Sequence, residues 1–156
     1  MSRLYRLLIV PLALLLVPCV SLAERIGEVD TAWKMIGPNH KIVIEAFDDP
    51  GVPGATCYLS RAVTGGISGA IGVAEDTSDA SIACRQTGPI NASVVAALKP
   101  GEQVFKQSTS LLFKSMQVVR HYDQQRRVIT YLVYSDKLID GSPKSSISVI
   151  PIRQFE

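Results

Sequence analysis

Histidine and cysteine are scarce in this chain: two of the first and three of the second in 156 residues. A zinc site draws on three or four closely spaced Cys, His or carboxylate ligands. Neither His40 nor His121 has a partner at such spacing, so no metal or other cofactor is expected. An excess of charge of one sign is missing as well. The formal net charge is +2, and Arg3 and Arg6 near the start account for all of it. Residues 24–156 are therefore balanced, which removes the electrostatic warrant for nucleic acid or an anionic membrane as a partner. No apolar run reaches the roughly 20 residues that a membrane-spanning helix requires. The glycine-rich stretch Gly65 to Gly72 lacks the lysine of a phosphate-binding loop and a strand-to-helix context, and it reads as an ordinary loop. No serine stands in a Gly-x-Ser-x-Gly or Ser-x-x-Lys setting. Internal repeats and long low-complexity linkers are absent too.

What is present begins at the N-terminus. Arg3 and Arg6 precede the apolar run Leu7 to Val17, and Ser21-Leu22-Ala23 carries the small residues that signal peptidase needs. Residues 1–23 are expected to be a cleaved signal peptide and residues 24–156 a single exported domain with no membrane span. Cys19 invites a lipoprotein reading, but Pro18 stands where lipoprotein processing wants a small residue. Cys57 and Cys84 then remain as an even pair with one possible connectivity. Export makes a disulfide between them possible, because an oxidising compartment permits what the cytosol reverses. Closing that loop would constrain the unfolded chain by about 3.5 kcal/mol on the chain-entropy estimate. Their wide spacing suits a structural staple better than a redox motif.

Period-2 alternation is the main pattern downstream. Lys41 to Phe47 reads as a half-buried strand with Ile42, Ile44 and Ala46 on one face and Lys41 and Glu45 on the other, ended by the turn formers Asp48-Asp49-Pro50-Gly51. Thr56 to Arg61 and Ala80 to Gln86 read as further strands. A disulfide would place these two beside each other in one sheet or opposite each other across a core. Asn91 to Leu98 reads as a short helix with Asn91 as its cap. Ser115 to Tyr122 and Arg127 to Ser135 flank Asp123-Gln124-Gln125-Arg126 as a hairpin, although Leu111 to Val119 also has a helical phase. Ser146 to Ile150 is a last strand, and Pro151 suits it to a sheet edge. The expected fold is mainly β: one antiparallel sandwich or barrel-like domain of about seven short strands, one short helix and one disulfide.

Candidates for polar contacts are few. Arg61 beside Thr64-Gly65-Gly66, the acids Glu75, Asp76 and Asp79, and the hairpin end at His121 are the best placed for binding. The three acids miss the alternating spacing of a calcium loop. His121 and Asp123 share one side of a strand, which leaves open an envelope hydrolase using His121 with Asp123 or an acid between Glu75 and Asp79.

Longer stretches carry a resemblance. Glu28-Val29-Asp30-Thr31, Lys34 to Pro38, Glu45 to Pro50, Thr56-Cys57-Tyr58, Ala74 to Ala80 and Tyr134 to Lys137 resemble the CreA family across essentially the whole of residues 24–156, least well over Asn91 to Gly101. The resemblance implies a small exported protein of the Gram-negative periplasm, and it brings no catalytic residues to carry over. The expected function is a non-catalytic binding or interaction module of the envelope, its partner a small molecule or an envelope protein. The alternatives are the hydrolase and a ligand-sensing accessory to a membrane sensor or transporter.

Overall fold

The computed structural model describes residues 22–32, 40–64, 79–108, 115–135 and 144–154. The loop Gly65 to Gly72, the start of the helical phase at Leu111 and the turn at Asp140 to Pro143 lie outside the described residues. Among the described residues eight strands and one helix follow in the order β1 (Glu24–Ala32), β2 (His40–Asp48), β3 (Ala55–Thr64), β4 (Ala80–Gln86), α1 (Ala92–Ala96), β5 (Glu102–Ser108), β6 (Ser115–Asp123), β7 (Val128–Ser135) and β8 (Ser145–Pro151). They form two four-stranded sheets, β1-β2-β3-β4 and β5-β6-β7-β8, antiparallel throughout. The mainly β expectation holds, with eight strands where about seven were expected.

The two strands with the weakest sequence pattern show why. β1, Glu-Arg-Ile-Gly-Glu-Val-Asp-Thr-Ala, is an edge strand whose charged side chains are exposed and whose pairing has two register shifts. β5 contains a bulge between Gln103 and Phe105, so the adjacent residues Val104 and Phe105 are both buried and the alternation is lost.

One sheet packs on the other through an apolar core in which Phe47 stacks on Phe105 with ring centroids 4.5 Å apart. That stacking reverses the expected phase of β2. Val43, Glu45 and Phe47 point inward, while Ile42 and Ile44 stay 41% and 39% exposed on the outer face with Tyr58. Both faces of β2 are largely apolar, so hydrophobicity alone does not choose between them. The large Phe47 ring and an ion pair for Glu45 decide it.

Cys57 and Cys84 are directly opposed residues of β3 and β4, fully buried and joined by a disulfide with Cα atoms 4.0 Å apart. The strands are thus neighbours in one sheet. On the other side of β4 lies β8 of the second sheet, and the seam between them is closed by side chains. The Cys84 N–H donates to Ser148 Oγ at 2.7 Å. Gln86 completes the seam, its Nε2 donating to the Arg153 carbonyl and its Oε1 accepting the Arg153 N–H, both at 3.0 Å.

Two consecutive turns join β2 to β3. The Val52 N–H donates to the Asp49 carbonyl at 3.1 Å and the Ala55 N–H to the Val52 carbonyl at 3.0 Å. Pro50 and Pro53 hold the first central position of each, and Gly54 takes the φ of +90° that the second demands. Between the sheets runs the segment carrying α1, capped by Asn91, whose Oδ1 accepts the Ser93 N–H at 3.0 Å. Val95 is buried and Ile90, Val94 and Leu98 pack on the core, so this segment covers one end of the sandwich.

The staple supports a first prediction. Replacing both Cys57 and Cys84 by serine should lower unfolding stability by about 3.5 kcal/mol. Urea unfolding of the oxidised parent and the double variant measures the difference.

Candidate functional site

The interior of this sandwich contains an ionic layer. Across the second sheet the register sets Glu102, Arg120, Tyr131 and Ser148 in one inward-facing row. Arg120 is 1% exposed. Its Nη1 donates to Asp49 of the other sheet's turn and its Nη2 to Glu102. Asp49 accepts two more hydrogen bonds, from the Tyr131 hydroxyl at 2.8 Å and the Gly51 N–H at 2.8 Å. Gly51 must be glycine for a steric reason: a Cβ there would stand 2.7 Å from Arg120 Nη1. Burial, then the Asp49 carboxylate, push the Tyr131 phenol far above its ordinary value, so it remains a neutral donor. A buried arginine left without its carboxylate is costly, and here two sheets supply the partners.

A second ionic contact lies along the same interior. Arg61 grips Glu45 with both ends of its guanidinium, Nε to Oε2 at 2.9 Å and Nη2 to Oε1 at 3.2 Å, and Gln107 of the opposite sheet reaches Glu45 Oε1 at 3.4 Å. Burial raises the Glu45 carboxyl, but the hydrogen bond and charge of Arg61 and the Gln107 amide outweigh it, so the group sits below its usual range.

The third feature is a cleft of about 480 Å³ at the end of the sandwich, between the α1 segment and the β6–β7 hairpin. Ile90, Val95, Leu98 and Ile152 form its aliphatic walls. Tyr122 adds its ring, two residues beyond Arg120 and on the same side of β6. Gln124 and Arg127 of the hairpin turn complete the lining. Arg127 occupies the left-handed region at φ 54°, and its carbonyl accepts the Ile152 N–H at 3.1 Å.

The expected site residues are dispersed. Arg61 is drawn partly inward by Glu45, its side chain 11% exposed, and it still lines a shallow groove. Asp79 shares a shallow groove of about 450 Å³ with Arg61, Ser81 and Ser145, and its carboxylate lies 3.4 Å from Lys144 in an exposed ion pair. Glu75 and Asp76 lie outside the described residues. His121 is exposed on β6 next to Gly101, where an added Cβ would lie 3.5 Å from the imidazole Cε1. Asp123 does not serve it. Its carboxylate accepts from Arg126 Nη1 at 2.8 Å and from the Arg126 N–H at 3.0 Å, and that guanidinium holds it below the usual carboxylate range. Among the described residues no three Cys, His, Asp or Glu side chains gather where they could hold a metal ion. No described helix is long and apolar enough to cross a membrane.

Sequence reasoning passed over Asp49, Glu102, Arg120 and Tyr131, and the cleft with them. A signal for Arg120 exists: Met116, Val118, Arg120 and Tyr122 share one phase of β6, and a charge in an otherwise apolar phase marks a buried partner. Glu45 between Val43 and Phe47 carries the same mark.

These features define a disulfide-stapled protein of two antiparallel sheets clamped by a buried arginine–aspartate pair. The family described as "CreA protein" matches residues 26–155. Protein CreA of Escherichia coli strain K12 is 57% identical over 150 residues, covering 95% of this chain and 96% of the relative. The proteins of the same name in Escherichia coli O6:H1 and O157:H7 show the same identity and coverage. The chain belongs to the CreA family. No solved structure matches it.

Two predictions come from the ionic contacts. Tyr131→Phe leaves Asp49 Oδ2 without its donor and should cost about 1–3 kcal/mol. Arg120→Met strands a buried carboxylate and should cost about 3–5 kcal/mol, both read by chemical denaturation. Glu45 generates a pH dependence. Because its folded-state pKa is depressed, its stabilisation is present above the unfolded carboxylate value of about 4.3 and is lost as pH falls through the lower folded value. Glu45→Gln should therefore be less stable than the parent at pH 7, with the gap closing in melting curves taken below about pH 4.

Proposed function

We propose that the protein acts outside the cytoplasm as a non-catalytic binding module whose ligand occupies the cleft between the α1 segment and the β6–β7 turn. The cleft itself carries this reading. Its volume falls in the range of small-molecule sites, about 300–1,000 Å³, and it combines aliphatic walls with a few polar groups at one side. The ionisable groups elsewhere support it from another direction: Arg120, Asp49, Arg61, Glu45 and Asp123 are engaged in contacts that hold strands and turns. A site on rigid elements binds with little ordering cost, and this one rests on the clamped end of the sandwich. The leader sequence and the disulfide favour an oxidising, periplasmic location. The names of the relatives state no molecular activity.

Two measurements test the proposal. Envelope fractionation with N-terminal sequencing should find the chain outside the cytoplasm beginning at Glu24, and an uncleaved cytoplasmic product would refute export. A thermal-shift panel of sugars, peptidoglycan fragments, organic acids and amphiphiles should yield a hit, since a ligand at 100 times its Kd stabilises by about 2.7 kcal/mol. Ala96→Trp, at an exposed position lining the cleft, should abolish that shift while leaving the ligand-free melting midpoint in place. A hit that survives Ala96→Trp would place binding elsewhere.

A further inference from the structure

The lining of the cleft is selective in a way that points to one ligand chemistry. We infer that the cleft, on the reading just given, takes a small amphipathic monoanion: an aliphatic body held by Ile90, Val95, Leu98 and Ile152, with a single acidic head group at Arg127. Among the described residues Arg127 is the one charged residue in the lining, and no acid is part of it. The two neighbouring arginines of the turn differ sharply. Arg126 is tied to Asp123 at 2.8 Å, whereas Arg127 has no carboxylate partner among the described residues. An exposed cation at the rim of an apolar cleft is complementary to an anion whose tail leaves water while its charge stays at the surface.

Cation and wall are also fixed to each other. The left-handed conformation of Arg127 is closed by the hydrogen bond from the Ile152 N–H to its own carbonyl, and Ile152 is part of the wall. The backbone from which the guanidinium extends is thereby anchored to the apolar wall before any ligand arrives, so the charge is tethered within side-chain reach of that wall. A diacid would press its second charge against aliphatic side chains, and a cationic amphiphile would meet Arg127 with like charge. A neutral amphiphile fills the walls and gains nothing from the guanidinium.

The test uses the purified, oxidised protein and three ten-carbon probes, sodium decanoate, 1-decanol and decyltrimethylammonium, with isothermal titration at low and high salt. Decanoate should bind with one site per chain and about fivefold more tightly than decanol at low salt, the scale of an exposed ion pair, with the advantage shrinking as salt rises. Decyltrimethylammonium should bind weakest. Arg127→Asn keeps a residue that tolerates the left-handed region, so its ligand-free melting midpoint should match the parent while decanoate and decanol become equal. Arg127→Lys should restore part of the preference.

The same acid could come from a free amphiphile or a lipid head group, and phosphatidylglycerol vesicles separate the two. Vesicle binding that decanoate competes and Arg127→Asn removes supports the inference with a lipid as the source; vesicle binding indifferent to Arg127→Asn overturns it. Decanol binding as tightly as decanoate, or a decanoate preference unchanged in Arg127→Asn, overturns the anion assignment while leaving the cleft as the binding site. Binding of every probe unchanged in Ala96→Trp removes both the inference and the binding reading beneath it.

Discussion

The fold depends most on one contact between its sheets, the pair formed by Arg120 and Asp49. A guanidinium in an apolar interior is tolerable only with its charge matched, and Arg120 is matched through Nη1 and Nη2 while its buried Nε has no partner among the described residues. Strand β6 carries Arg120 inward, so a carboxylate has to meet it from across the core, and Asp49 does so from the turn after β2. That requirement propagates. Gly51 must lack a side chain to let the guanidinium approach, Tyr131 must supply a hydroxyl to the second carboxylate oxygen, and Glu102 must close the guanidinium from its own sheet. One buried charge thus links the double turn of the first sheet to the inner face of the second.

The two flanks of the sandwich are managed differently. Along the β4–β8 seam, two edge strands lie side by side without a shared ladder, and polar side chains replace it: Ser148 takes the Cys84 N–H, and the Gln86 amide bonds the Arg153 backbone as another strand would. This blunts two exposed edges without merging the sheets. The disulfide one strand in from the seam fixes β4 to β3, so the seam has a rigid border. On the opposite flank Arg25, Glu28 and Lys41 form exposed ion pairs between β1 and β2, and the interior beside them holds the Glu45–Arg61 pair. An apolar core thus grades into a network of paired charges toward the free edge.

The same rigidity explains why the end near α1 suits a ligand. The helix is too short to stand by its own propensity and is held by Val95 against the core. The hairpin turn opposite it is held by Asp123 and by the Ile152 contact. What lies between is a cleft whose walls belong to elements that are already anchored. Three of the residues named for binding from the sequence lie away from this cleft or are used elsewhere, Arg61 for Glu45, Asp79 for Lys144 and His121 beside Gly101, and the Asp123 carboxylate named for the hydrolase reading is used for Arg126.

Much of the fold was legible because its signals are local. Alternation marked β2, β4, β6, β7 and β8 to within a residue or two, the Asp-Pro-Gly and Pro-Gly pairs marked the turns, Asn91 marked the helix start, and two cysteines allowed only one disulfide. Such features arise from steric and hydrogen-bonding preferences within a few residues, so the sequence by itself determined them, along with membership of the family. Tertiary structure alone decided which face of β2 turned inward, since Ile42 and Ile44 are as apolar as Val43 and Phe47, and the choice lay with Phe105 and Arg61 far along the chain or on another strand. It likewise decided that Arg120 would find Asp49 and that Ile90, Val95, Tyr122, Arg127 and Ile152 would share one cleft, because burial energy and ion pairing depend on what stands opposite in space rather than on what stands next in sequence.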